Sequence, residues 1–233
     1  MCGPCSSALD VAQHLAQAEQ LPLWASVLTP SQWAGRGQLR RPWISQPGNL
    51  LAAWRLPIPP APWNALLPLV LGWCFALELR DSGLPVQVKW PNDLLLHGRK
   101  IGGILLEERG PVLLAGLGLN LVSAPLDTHL RPDHACPAGY LYPDARLSIF
   151  ELWLRLVHSG QLRYKALLSS STPDDFCRSL EMILAFLGQK ICITDNQEQL
   201  HGTCLGLCTN GGISVLIDGK VRTMYSGSLA PDT

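Results

Sequence analysis

The sequence predicts an α+β protein, with a mixed β-sheet and packed helices followed by a small barrel-like β tail. Three observations predict it. Short runs with a two-residue apolar period crowd the middle of the chain. Longer apolar stretches flank them. Beyond Gly188 the chain breaks into brief strand-like pieces separated by Asn-Gly-Gly and Asp-Gly. At 233 residues, 47% of them hydrophobic, the chain can bury one sizeable core and carry a small appendage.

In order, residues 9–18 place Leu9, Val11, Ala12, Leu15 and Ala16 at the spacing of a short amphipathic helix. Residues 22–29 and 49–57 read as strands. Between them, residues 30–48 hold Pro, Gly and three arginines without a period, which predicts a long loop. Residues 61–79 are largely apolar, but Asn64, Pro68 and Glu78 interrupt them, and the run only approaches the ~20 residues of a membrane span. A buried helix is expected, with Pro68 in or near its first turns. Val86, Val88 and Trp90 alternate with Gln87 and Lys89 as a strand. Residues 93–97 and 101–107 flank His97-Gly98-Arg99-Lys100, a hairpin turn, and 112–119 form another buried strand. A Pro-rich loop at 124–144 leads to helices at 148–168 and 173–186. The tail pieces are ICITD, GTCLGLC, ISVLID and VRTMYSG, with Asp218-Gly219 marking a hairpin. The composition shift divides the chain into 1–187 and 188–233.

Formal net charge is zero, so no basic stripe for nucleic acid is expected. Arg36, Arg40 and Arg41 beside Trp33 and Trp43 could form an RNA patch, but a role toward a phosphate ligand is simpler. The start lacks a basic segment and an apolar run, so no signal peptide is read, and eight free cysteines in a cytoplasmic protein are expected. Cys2-Gly3-Pro4-Cys5 has redox-motif spacing without a preceding strand. His201, Cys204 and Cys208 sit on strand-like sequence, where four residues span about 13 Å, too far to share an ion unless the chain turns.

Three runs carry chemistry. Gly35-Arg36-Gly37 sits in the long loop, where glycines allow close backbone approach and the arginine offers paired donors to phosphate or carboxylate. Lys89-Trp90-Pro91-Asn92-Asp93 ends one strand and opens the next, and Lys100 begins the strand after the turn, so Lys100 and Asp93 could face one cavity. Gly116-Leu117-Gly118-Leu119-Asn120 strips side chains from one face of a strand, which something must approach closely.

Together the KWPND, GRKIGGILLE and GLGLN runs, with SQWAGRG and PGNL upstream, resemble the biotin–protein ligase family in order and spacing. The match is to the form lacking an N-terminal DNA-binding domain. The resemblance implies a class II synthetase-like ligase fold with an SH3-like C-terminal domain. It implies formation of biotinyl-5′-AMP from biotin and Mg-ATP, then transfer of biotin to a lysine of a biotin carboxyl carrier protein. Lys100, Arg36 and Asp93 match the catalytic positions. Ser7, Gln32, Gly35, Lys100, Gly103, Gly116 and Gly118 match the biotin side, and Arg36, Gly37, Gln38, Trp43, Asn92 and Asn120 the ATP side. Mg2+ would arrive with ATP, with Asp93 as the sole candidate protein ligand. Asp93 would orient or deprotonate the carrier lysine. DNA and membrane partners are not implied, and the oligomeric state stays open: strands 101–107 and 112–119 could pair edge to edge with a second copy. The chain departs from the family at Gln38 and Leu39, where arginines are usual, and at Ala8 and Leu9, where Thr and Asn are usual. Weaker adenylate retention and fewer biotin hydrogen bonds would follow. A lipoate–protein ligase and a degenerate biotin-binding protein are the alternatives.

Overall fold

The computed structural model describes all residues except 127–135, 142–147, 196–197 and 233. Most of the expected 124–144 loop therefore lies outside the described residues.

The first unit is a six-stranded sheet in the order β1-β2-β6-β5-β4-β3, built from β1 (Ser26–Thr29), β2 (Leu50–Leu56), β3 (Gln87–Lys89), β4 (Asp93–Leu96), β5 (Arg99–Arg109) and β6 (Val112–Leu119). A mixed sheet is expected from sequence, but every strand pair is antiparallel. The reason lies in the connections: β4–β5 and β5–β6 turn over two residues, and so short a link joins only antiparallel strands. Parallel contacts are confined to isolated bridges such as Val88–Leu184 and Lys100–Ala138. At the β4–β5 turn His97 and Gly98 take φ of 50° and 74°, the left-handed pair that matches strand twist.

Helix α2 (Trp63–Asp81) is apolar on all sides and is buried between the sheet and α3 (Ile149–Ser170), with Pro68 accommodated inside it. Gly160 of α3 lets the rings of Trp54 and Phe75 approach; a Cβ there would stand 3.2 Å from Trp54. On the other face α1 (Ala8–Gln17) sets Leu9, Ala12 and Ala16 against Ala53 and Leu114. Ser7 caps α1 by accepting a hydrogen bond from the Asp10 N–H. No described helix is long and apolar enough to cross a membrane.

Helix α4 (Pro173–Glu181) ends five residues before the expected limit, because Ile183 and Ala185 give their backbone groups to Val88 on the outer edge of β3. A five-stranded antiparallel sheet follows, in the order β10-β9-β8-β7-β11. Its strands are β7 (Lys190–Asp195), β8 (Glu198–Leu207), β9 (Ile213–Ile217), β10 (Lys220–Met224) and β11 (Ser228–Pro231). The Asp218-Gly219 turn links β9 to β10 as expected, whereas β11 is a strand the pattern did not separate. The Trp90 indole N–H donates to the Gly211 carbonyl at 2.9 Å, and Glu181 accepts from Leu207 N–H, fastening this sheet to the first unit.

Strand β6 has a neighbour on each side. β4 pairs only with Arg99–Gly103 of β5, so Leu105–Arg109 has no described strand on that edge.

Candidate active site

A cavity of about 510 Å³ opens on the sheet face that α1 covers only in part. Cross-strand pairing places Asp93, Gly103 and Gly118 in a row on this face, and Gly116 follows two residues before Gly118. Lys100 would alternate onto the opposite face. Instead the β4–β5 register shifts between Leu94 and Leu95, so Leu94 pairs with Gly102 and Leu95 with Lys100. Ile101 is the extra residue. This bulge turns Lys100 to the face of Asp93 and leaves Ile101 in the core.

Asp93 is buried between two ammonium groups. Its Oδ2 lies 2.7 Å from Lys89 Nζ and its Oδ1 2.6 Å from Lys100 Nζ. Burial pushes its carboxyl upward, but the charges of Lys100 and Lys89, with their hydrogen bonds, outweigh this and hold it at about 2. With both lysines in place the carboxyl is held as a carboxylate. Its oxygens do not suit a metal ion, since both face cations, and no three His, Cys, Asp or Glu side chains gather at one point among the described residues.

Loop 31–48 folds over the cavity as a small hairpin, in which Gly37 N–H donates to Arg41 and Trp43 N–H to Gly35. The Trp43 ring lies on Gly118, where a Cβ would stand 2.4 Å from its Cε2. Lys100 Nζ is 5.8 Å from the ring centroid. Leu9 covers Gly116 in the same way, at 2.8 Å. Arg36 grips Glu107 with two donors, at 2.7 and 3.0 Å, reaches Asp10 at 2.8 Å, and donates to Ser7 Oγ at 3.2 Å. Glu107 above all keeps its guanidinium charged. Arg36 thus clasps the loop to α1 and β5 while lining the cavity.

Gln32 accepts from Ala8 N–H at 2.7 Å and donates to Ser45 at 3.3 Å, ordering the entry to α1. Asn92 donates to the Ile104 carbonyl and continues the β4–β5 pairing past its last strand residue. Asn120 donates to Gly139 and accepts from Asn49.

Of the expected residues, Ser7, Gln32, Arg36, Gly37, Gln38, Trp43, Asn92, Asp93, Lys100, Gly103, Gly116, Gly118 and Asn120 all line this cavity. Gly35 does not. It lies behind the wall, where a Cβ would meet Gln32 Nε2 at 3.0 Å. Sequence reasoning missed Lys89, Cys136, Ser228 and the clasp partner Glu107, and met Leu9 only as a departure from the family. Lys89 and Glu107 stand inside the quoted motifs, which was the available signal; Ser228 comes from the second sheet and carries none. Elsewhere, His201 pairs with Asp232 at the surface, while Cys204 is buried in the core.

The profile of the Biotin/lipoate A/B protein ligase family matches residues 10–120. The biotin–[acetyl-CoA-carboxylase] ligase of Paracoccus denitrificans is 30% identical over 214 residues, covering 87% of this chain and 88% of that one. The bifunctional ligase/repressor BirA of Escherichia coli (strain K12) is 43% identical over 210 residues; the match spans 85% of this chain and 64% of the relative. Among solved structures, the biotin protein ligase from Aquifex aeolicus in complex with biotin and ATP superposes with a TM-score of 0.82 at 23% identity, over 99% of this chain and 97% of that one.

Proposed function

Because the chain belongs to the biotin protein ligase family, we propose that it is an ATP-dependent ligase. It forms biotinyl-5′-AMP and then passes biotin to a lysine of a biotin carboxyl carrier protein. The observation that carries this is a lysine brought by a bulge onto a glycine-floored cavity, beside a buried carboxylate and under an arginine-clasped loop.

In the first step a biotin carboxylate oxygen bonds to the α-phosphorus of ATP and pyrophosphate leaves. Both partners are anionic. Lys100, at the cavity wall and partly exposed, can release Asp93 and bridge the two, offsetting their repulsion. Gly103 leaves the acid room beside Ser7 and Gln32, Gly116 and Gly118 seat Leu9 and the Trp43 ring that wall this space, and Gly37, Gln38, Trp43, Asn92 and Asn120 face the nucleotide. Arg36 acts by holding the loop shut, so the mixed anhydride is kept from water. In the second step the carrier amine attacks the acyl carbon, the C–O bond to phosphate breaks and AMP leaves. Asp93, kept anionic, orients the incoming ammonium, which gives one proton to solvent before the attack and a second as the amide forms. Magnesium would come on the nucleotide phosphates and supply charge neutralisation there.

Residues 1–187 would form the catalytic unit and 188–233 an SH3-like unit whose Gly227 and Ser228 border the cavity. A homodimer would use the open edge of β5. Eight free thiols support a cytoplasmic setting. The test is biotin-dependent exchange of labelled pyrophosphate into ATP. We expect exchange in the wild type and its loss in Lys100→Ala. Absent exchange with biotin still bound would point to a degenerate binder, and exchange driven by lipoate instead would reassign the substrate.

A further inference from the structure

Lys89 has no part in the reaction as derived so far, yet it is the most deeply buried cation in the cavity wall. Only 3% of the residue is exposed. It stands directly opposite Asp93 in the β3–β4 pairing, and Asp93 is the acceptor its ammonium meets, at 2.7 Å. An unpaired ammonium at that depth is costly, so Lys89 cannot leave Asp93. Lys100 differs. Its side chain is 35% exposed and extends along the open cavity beside Trp43, so it can turn away from Asp93. The two lysines thus share one carboxylate, one fixed and one free to move.

We propose that Lys89 is a positioning residue that neutralises Asp93 in place, so that Lys100 can exchange this carboxylate for an anionic ligand. Without Lys89, Asp93 would have Lys100 as its single counter-ion among the described residues and would hold it. The ligand would then compete with a buried carboxylate for the same ammonium. The inference deepens the ligase reading and rests on it only for the identity of the ligand. The exchange of partners applies to any phosphate or carboxylate that reaches Lys100.

The experiment is calorimetric binding of inorganic pyrophosphate to the full chain and to Lys89→Met, Asp93→Asn and Lys89→Met/Asp93→Asn, with Lys100→Ala as control. Thermal unfolding of each variant is followed in parallel. Lys89→Met is expected to bind roughly tenfold or more weakly, within the range of coupling between contacting residues. Adding Asp93→Asn should restore binding, because the competitor is gone. If the double variant is as weak as Lys89→Met, Lys89 touches the anion itself and the proposal fails. It also fails if Lys89→Met binds like wild type, or if wild type and Lys100→Ala bind equally. Should Lys89→Met not fold, the neutral pair decides. The proposal requires Asp93→Asn and the double variant to bind alike, and a much weaker double variant overturns it. Because the probe is binding, a wild type that takes pyrophosphate but exchanges none would refute the ligase reading and leave the role of Lys89 to be judged on its own data.

Discussion

Gly118→Ala separates loop closure from fold stability. The added Cβ would stand 2.4 Å from Trp43 Cε2 and 2.5 Å from Cζ2. Carbon atoms pack at about 3.5–4.0 Å, so one partner must retreat by more than about 1 Å. β6 cannot, because β2 and β5 are hydrogen-bonded along both its sides. The ring can, since it sits on an exposed loop. Overpacking of this kind costs about 1–3 kcal/mol, and the ring also loses its approach to Lys100, worth about 0.5–1 kcal/mol at an exposed site. Charged to the loop, a shift of ~1–3 kcal/mol changes the ratio of open to closed forms by roughly 5–150-fold. The assay is tryptic nicking at the exposed Arg40–Arg41 bond alongside thermal unfolding. Faster nicking is expected, with Tm lowered by no more than about 4 °C. Gly116→Ala is the control. Its Cβ meets Leu9 Cδ1 at 2.8 Å, and Leu9 is buried on α1 and cannot swing out. That variant should lose stability by about 1–3 kcal/mol with nicking unchanged. Wild-type nicking in Gly118→Ala, or a collapse in its Tm, would refute the assignment of the strain to the loop.

Ser7→Ala removes the α1 cap and an acceptor of the Arg36 clasp; a loss of about 0.5–2 kcal/mol in denaturant unfolding and faster loop nicking are expected, and an unchanged midpoint would sink this double role. Asp93 has a folded pKa of about 2 against an unfolded value of roughly 3.9, so its stabilisation is present above pH 4 and is lost as pH falls toward 2. The Tm gap between wild type and Asp93→Asn should therefore be wide at pH 7 and narrow through that window; a pH-independent gap contradicts it. Gln38→Arg adds a cation to the cavity rim and should slow the release of labelled adenylate in rapid gel filtration, whereas equal release would show that residue 38 does not contribute to retention.

Much of the fold could be read locally. The glycine-bearing strand 112–119 and the two positive-φ turns at 97–98 and 218–219 are fixed by alternation and by turn chemistry. What escaped depends on distant partners. Lys89 alternates as an outward residue but is buried, because segment 183–185 closes the outer edge of β3. Helix α4 stops early for the same reason. β11 is four residues long, ends in Pro231 and exists by pairing with β7, so its own sequence barely marks it. Most candidate site residues were legible because they cluster in three runs. Their division of labour was not. The partner that turns Arg36 into a clasp lies 71 residues away.

The bulge at Ile101 also governs how this strand tolerates changes in length. Deleting Ile101 would restore regular pairing with β4 and leave Lys100 opposite Leu95, on the face of Asp93, while withdrawing a fully buried side chain from the core. Loss of the bulge residue is thus felt by the packing beneath the sheet and not by the position of the reacting amine.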